Sequence, residues 1–159
     1  MTIRPMQPSD LDFAAECTAR EGWASETRQE FEGFLTYDPG GCFVSEVNGR
    51  RVGICIATPY VEFGFVGELI VAKAVRGHGI GRRLLEHSVQ YLHECGAQTV
   101  YLDGVPAAVS LYERVGFRRV CRSLRFHGHL RAEFHSILPS FQPTNQLARE
   151  DFPCQTTTR

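Results

Sequence analysis

The sequence predicts an α/β chain in which a mixed, mostly antiparallel twisted sheet is flanked by helices. Three observations carry this. An Asn48-Gly49 pair separates two β-rich runs, residues 42–47 and 51–57, and Asn-Gly supplies the two positive φ values of a type I′ hairpin turn. A further β-rich run, residues 65–71, passes through the glycine loop Arg76-Gly77-His78-Gly79-Ile80-Gly81 into apolar residues at helical spacing. A second strand-and-helix pair, residues 98–103 and 107–115, then follows.

In chain order, residues 2–6 read as a first strand, and Ser9 or Asp10 caps a helix carrying Leu11, Phe13, Ala14 and Cys17. Glu21-Gly22-Trp23 breaks that helix, and a second begins near Ser25 with Phe31, Phe34 and Leu35 on its inner face. Both helices should pack on the sheet. Asp38-Pro39-Gly40-Gly41 turns the chain into the hairpin, whose strands are central and antiparallel, and residues 61–71 form the next strand.

At about 100° per residue the long helix places Ile80, Leu84, Leu85, Ser88, Val89, Tyr91, Leu92 and Cys95 on one half. Arg82, Arg83, Glu86, His87, Gln90, His93 and Glu94 fall on the other, and Gly96 ends it. Pro106 suits the first turn of the short helix that Gly116 ends. A strand from Phe117 and another at residues 124–126 complete the sheet. From about His129 the periodicity stops, so residues 1–128 read as the domain and 129–159 as a tail, partly docked, with a mobile end.

Composition narrows the function classes. A chain of 159 residues with 43% hydrophobic and 22% charged residues is one globular domain by the usual size prior. A net charge of −1 provides no global field for nucleic acid or an anionic membrane. Six cysteines without a Cys-x-x-Cys pair suit reduced thiols in a cytoplasmic protein rather than a disulfide frame or a zinc site. Residues 52–75 are interrupted by Pro59, Glu62, Gly64, Gly67 and Glu68, so no membrane span is expected there. His127 and His129 lack nearby acidic partners, and no metal is expected at them.

The glycine loop is the feature around which chemistry can be organised. Glycines at alternate positions leave amide N–H groups uncovered, and the first amides of the following helix have no intrahelical partners. The helix dipole favours an anion there, and Arg76, Arg82 and Arg83 add positive charge. A pyrophosphate fits such a cradle. The Gly-Lys-Ser/Thr of a P-loop is absent, and so is the Gly-x-Gly-x-x-Gly spacing of a dinucleotide fingerprint.

Strand, Arg76-x-x-Gly79-x-Gly81 and amphipathic helix together resemble the acetyl-CoA loop of the GNAT acetyltransferase superfamily. Some 30 residues on, Leu111-Tyr112-Glu113-Arg114-Val115-Gly116-Phe117 is similar to that superfamily's Leu-Tyr-x-x-x-Gly-Phe signature. The resemblance implies a sheet with splayed central strands and acetyl-CoA as co-substrate, its pyrophosphate on Arg76, Gly77, His78, Gly79, Ile80, Gly81 and Arg82. It also implies a pantetheine arm running between Leu69, Ile70 and Val71 and the strand that ends at Asp103, pairing as an added strand would.

The implied reaction is attack of an amine on a thioester. An alkyl ammonium, with a pKa of about 10.4, must lose a proton first, and the leaving thiolate departs more readily if an acid protonates it. The signature puts Tyr112 near the sulfur, which makes it the expected acid. Glu68 is the expected base, since an apolar setting raises a carboxyl toward neutrality, with Glu62 on the same strand or a water relay as alternatives. Trp23 is a candidate for stacking on the acceptor, or else a core anchor. Glu21, Glu26, Glu30 and Glu32 give that region an acidic character suited to a cationic acceptor.

Leu102-Asp103-Gly104-Val105-Pro106-Ala107-Ala108 is compact and lacks the asparagine many GNAT members carry before the short helix. It resembles the Leu-Asp-Ala-Thr-Pro form of a branch that often has a second, YitH/HolE-type C-terminal domain. What remains after Gly128 is too short for such a domain. The leading expectation is an N-acetyltransferase acting on a small-molecule or peptide amine. A homodimer is what the resemblance allows. The competing expectation is a non-catalytic acyl-CoA-binding or regulatory module that keeps the cradle alone.

Overall fold

The computed structural model describes residues 1–23 and 26–123. Contacts divide the chain into two units, Met1–Arg122 and Ser123–Arg159, and every element below belongs to the first. The strand expected at residues 124–126, the tail, and His127 and His129 lie outside the described residues.

Five strands form one sheet in the order β1-β2-β3-β4-β5: β1 Thr2–Pro5, β2 Cys42–Val47, β3 Arg50–Pro59, β4 Phe63–Val71 and β5 Thr99–Leu102. The first four are antiparallel, and β5 runs parallel to β4. Asn48 and Gly49, with φ of 50° and 73°, close the β2–β3 hairpin as the dipeptide requires. Alternation along the strands feeds two cores. Val44, Ile54, Ile56 and Ile70 pack with Leu11, Ala14, Cys17 and Phe31 from α1 (Leu11–Arg20) and α2 (Arg28–Tyr37). On the other face Phe43, Cys55, Ala57 and Val66 pack with Ile80, Leu84, Leu85 and Leu92 from α3 (Ile80–Glu94), and α4 (Val109–Val115) adds Leu111 and Tyr112.

Several expected details are corrected. The second helix starts at Arg28, because Thr27 caps it reciprocally with Glu30. Asp10 stands before α1 but makes no side-chain cap bond; Arg4, Arg51 and the Gln7 amide hold its carboxylate instead. Cys95 is exposed, since the chain turns at Gly96 (φ 96°) and Ala97 takes the buried position. Cys121 is also exposed, whereas Cys17, Cys42 and Cys55 are buried free thiols. Residues 117–123 form no strand, because no neighbour among the described residues offers them a ladder. No helix of the described residues is long and apolar enough to cross a membrane.

The Arg4–Asp10 pair (2.7 Å), with Glu46 and Arg51 as outer partners, ties β1 and β2 to the start of α1 and so sets that helix on the sheet. Burial alone would raise the Asp10 carboxyl, but Arg4, the Gln7 amide and Arg51 outweigh it and hold the pKa at about 2. A depressed carboxyl contributes stability above its unfolded value of 3.8, and that contribution is lost as pH falls through 2. Asp10→Asn is therefore expected to cost about 2 kcal/mol at pH 7 in urea unfolding. Wild type and variant should converge below pH 2; a difference that persists there would assign the loss to packing rather than charge.

Candidate active site

β4 carries the site. Its ladder with β5 ends at Val66↔Leu102, while β4 itself continues to Val71. The two strands part there, and residues 67–71 have a strand partner only on the β3 side among the described residues. Leu69, Ile70 and Val71 border this opening, and Asp103, just past the end of β5, stands opposite on the exposed side. One of the open main-chain groups is already engaged, since Arg76 Nε donates to Val71 O at 2.7 Å.

The loop beyond β4 has the backbone that a bound anion needs. Gly77 and Gly79 have φ of 83° and 78°, and open space lies where a Cβ would stand on either. The Arg83 amide is the first to reach back, to Gly79 O at 3.1 Å. The amides of Gly77, His78, Gly79, Ile80, Gly81 and Arg82 donate to no carbonyl among the described residues. They form a row of uncommitted donors at the positive end of α3.

Side chains around the loop are engaged in different ways. The His78 ring sits against the Val75 and Arg76 carbonyls, 3.2 and 3.0 Å away, which leaves only its backbone for a ligand. Arg82 pairs with Glu86 at 2.8 Å, one helical turn on. Arg83 is exposed, with no ion-pair partner among the described residues. Besides the Val71 carbonyl, Arg76 binds Glu21 at 2.6 Å.

Glu68 lies where β4 bulges. The register passes from Ile54↔Ile70 to Ile56↔Gly67, so Cys55 opposes both Glu68 and Leu69. Glu68 takes a φ of 45°, a conformation that costs a non-glycine residue on the order of 1 kcal/mol. Burial, and after it the negative charge of Glu26, raises its carboxyl to a pKa of about 7. Nothing in the spacing of the sequence singles out Glu26 from the other acids near α2; only the fold brings it to Glu68.

Tyr112 comes from the opposite face of the sheet. Its ring packs edge-on to Phe117, with centroids 6.5 Å apart, and covers Gly104 so closely that a Cβ there would stand 2.8 Å from Cε2. Burial, and then the nearby Cys55 thiol, raises the phenol above its ordinary pKa. Cys55 also feels the Glu68 charge; its own thiol, pushed up by burial to about 12, accepts from Ser88 Oγ at 3.1 Å. Cys55 is thus coupled electrostatically to both Glu68 and Tyr112.

Glu62 is not brought to this place. It lies in the turn before β4, at the far end of the strand from Val71, beside a shallow pocket of about 360 Å³ lined with Phe63, Gln98, Thr99 and Tyr101. Trp23 is half-buried and packs against the α1–α2 core, its amide on Thr18 O at 3.0 Å.

This arrangement has relatives. The profile of the acetyltransferase (GNAT) family matches residues 10–117. N-alpha-acetyltransferase 30 of Schizosaccharomyces pombe is 32% identical over 146 residues, covering 87% of this chain and 97% of that protein. N-alpha-acetyltransferase 30 of Dictyostelium discoideum is 31% identical over 101 residues, 59% of this chain, and the chain spans only 55% of that relative's length. Among solved structures, an aminoglycoside N-acetyltransferase in complex with CoA superposes with a TM-score of 0.64 at 17% identity, covering 81% of this chain and 100% of that one.

Proposed function

This chain belongs to the GNAT acetyltransferase family, and from that premise we propose that it transfers the acetyl group of acetyl-CoA to a primary amine by direct attack on the thioester. The observation that carries the proposal is Glu68. A carboxyl with a pKa of about 7 stands on the strand that leads into a loop of six uncommitted amides.

The residues fit the co-substrate that the family uses. The amides of residues 77–82 would hold its pyrophosphate, with Arg83 and the outer face of Arg76 beside them. The open edge of Leu69 and Ile70, facing the Asp103 side, would receive its amide-bearing arm. Acetyl-CoA supplies the activated acyl carbon and a thiol leaving group.

In this reading the Glu68 carboxylate takes a proton from the acceptor ammonium. The freed nitrogen bonds to the acyl carbon, the carbon–sulfur bond breaks, the Tyr112 phenol gives its proton to the departing sulfur, and the phenolate is reprotonated as the new amide nitrogen gives up its second proton. Matching of pKa values favours the acceptor's α-amine. An α-ammonium near 7.7–8.0 lies within about one unit of Glu68, whereas a lysine-like ammonium at about 10.4 lies more than three above it. The likeness to two N-alpha-acetyltransferases points the same way, so a peptide N-terminus is the proposed acceptor over a small alkyl amine. The compact loop of residues 102–108 would place the chain with the branch it resembles, its acceptor gripped by α1, α2 and the segment between them. Three buried thiols suit a reducing, cytoplasmic setting.

The test is calorimetric titration with acetyl-CoA of the wild type and Gly79→Asp. Asp tolerates the left-handed conformation at this position better than most residues, so the fold should survive while its carboxylate faces the pyrophosphate. Wild-type binding should weaken at least about tenfold in the variant. A folded wild type that does not bind acetyl-CoA would overturn the proposal.

A further inference from the structure

Resting on this reading, we infer that Glu21 is a positioning residue for the acceptor: its ion pair with Arg76 clamps the segment after α1 against the end of β4, so the acceptor pocket is assembled on the cofactor loop. The contact joins residues 55 positions apart in the chain. Arg76 is its hub, with Nη2 on Glu21 Oε1 at 2.6 Å and Nε on Val71 O at 2.7 Å. A guanidinium has five N–H donors in a planar fork, so two bonds made on this side leave others for an anion in the cradle.

Residues 21–23 and 26, at either end of the segment that the clamp holds, are tied to α1. The amides of Glu21 and Trp23 both donate to Thr18 O, and Thr18 Oγ1 donates to Glu26 O at 2.8 Å. Thr18 is fully buried and fixes the inner side of the segment at both ends. Gly22, with a φ of 79°, makes the turn. On the outer side, the ion pair of Glu21 with Arg76 links this segment to the loop after β4. Trp23 and Glu26 are therefore tied on the inner side to Thr18, and Glu21 in the same segment is tied on the outer side to Arg76.

Arg76 joins a carboxylate of the segment after α1 to the last carbonyl of β4 through one side chain. As a clamp it serves both halves of the site, so rigidity in one is passed to the other through one side chain.

The experiment uses the full chain and its single tryptophan, Trp23, which reports on the segment whether or not acetyl transfer occurs. Glu21→Gln should raise acceptor KM about two- to fivefold, the range expected for an exposed ion pair. It should leave the dissociation constant for acetyl-CoA within about twofold and increase acrylamide quenching of Trp23. In an Arg76→Gln background the same change should add nothing to either quenching or acceptor KM. Wild-type quenching and KM in Glu21→Gln would overturn the clamp, as would an equal loss in both backgrounds. Should the wild type acetylate no amine, the functional reading fails and quenching alone decides: raised in Glu21→Gln it supports the clamp, unchanged it overturns it.

Discussion

Glu68→Gln is expected to lower kcat/KM about 10²- to 10³-fold at pH 8, the usual worth of a positioned base. The wild-type profile should rise through pH 7, because the base must be ionised and its carboxyl titrates at about 7. The free enzyme's kcat/KM is the quantity that reports this. In the variant the rising limb should vanish, leaving a low rate whose pH dependence is that of the amine alone. Stability gives an independent check of opposite sign. A carboxyl raised from 4.5 to about 7 in the folded state destabilises the fold once pH exceeds 4.5, and increasingly so up to 7. Glu68→Gln should therefore melt several degrees higher than wild type at pH 8 and at the same temperature at pH 4. A limb near pH 7 that survives the substitution would move the base elsewhere, to a water relay or another carboxylate.

The elements of the fold were legible because they rest on short-range physics. Asn48-Gly49 names its turn, the apolar half of α3 names its buried face, and glycine at residues 77 and 79 marks the only backbone that can take those φ values without strain. Cys95 shows the limit of that reasoning. Helical periodicity places it inward, but the helix ends there and periodicity ceases to apply.

The site was legible in part, for a different reason. Tyr112, Glu68 and the loop carry a recognisable pattern along the chain. Their electrostatics depend on partners far away in sequence. Burial, and after it Glu26, raises the Glu68 carboxyl, Glu21 captures Arg76, and no spacing rule relates residue 21 to residue 76. The Glu68 bulge was equally hidden, because the mismatch of one residue between β3 and β4 is a property of the pair and not of either strand.

Tyr112→Phe should lower kcat by about 10²- to 10⁴-fold while the dissociation constant for acetyl-CoA stays near that of wild type. The ring is what packs on Phe117 and Gly104, and phenylalanine keeps the ring, so thermal stability should change little. What is lost is a proton donor that never titrates in the working range, since burial raises the phenol above its ordinary value of 10. Two consequences separate acid catalysis from simple packing. Above pH 7 the wild-type profile should bend only with the acceptor's own ammonium, at about 7.7–8.0, and show no further limb from Tyr112 up to at least pH 9. The defect in Tyr112→Phe should also shrink when the acetyl donor is a thioester of a more acidic thiol, whose thiolate leaves without protonation. A defect of equal size with every donor would mean that Tyr112 orients the thioester instead, and unchanged turnover with acetyl-CoA would remove it from the chemistry altogether.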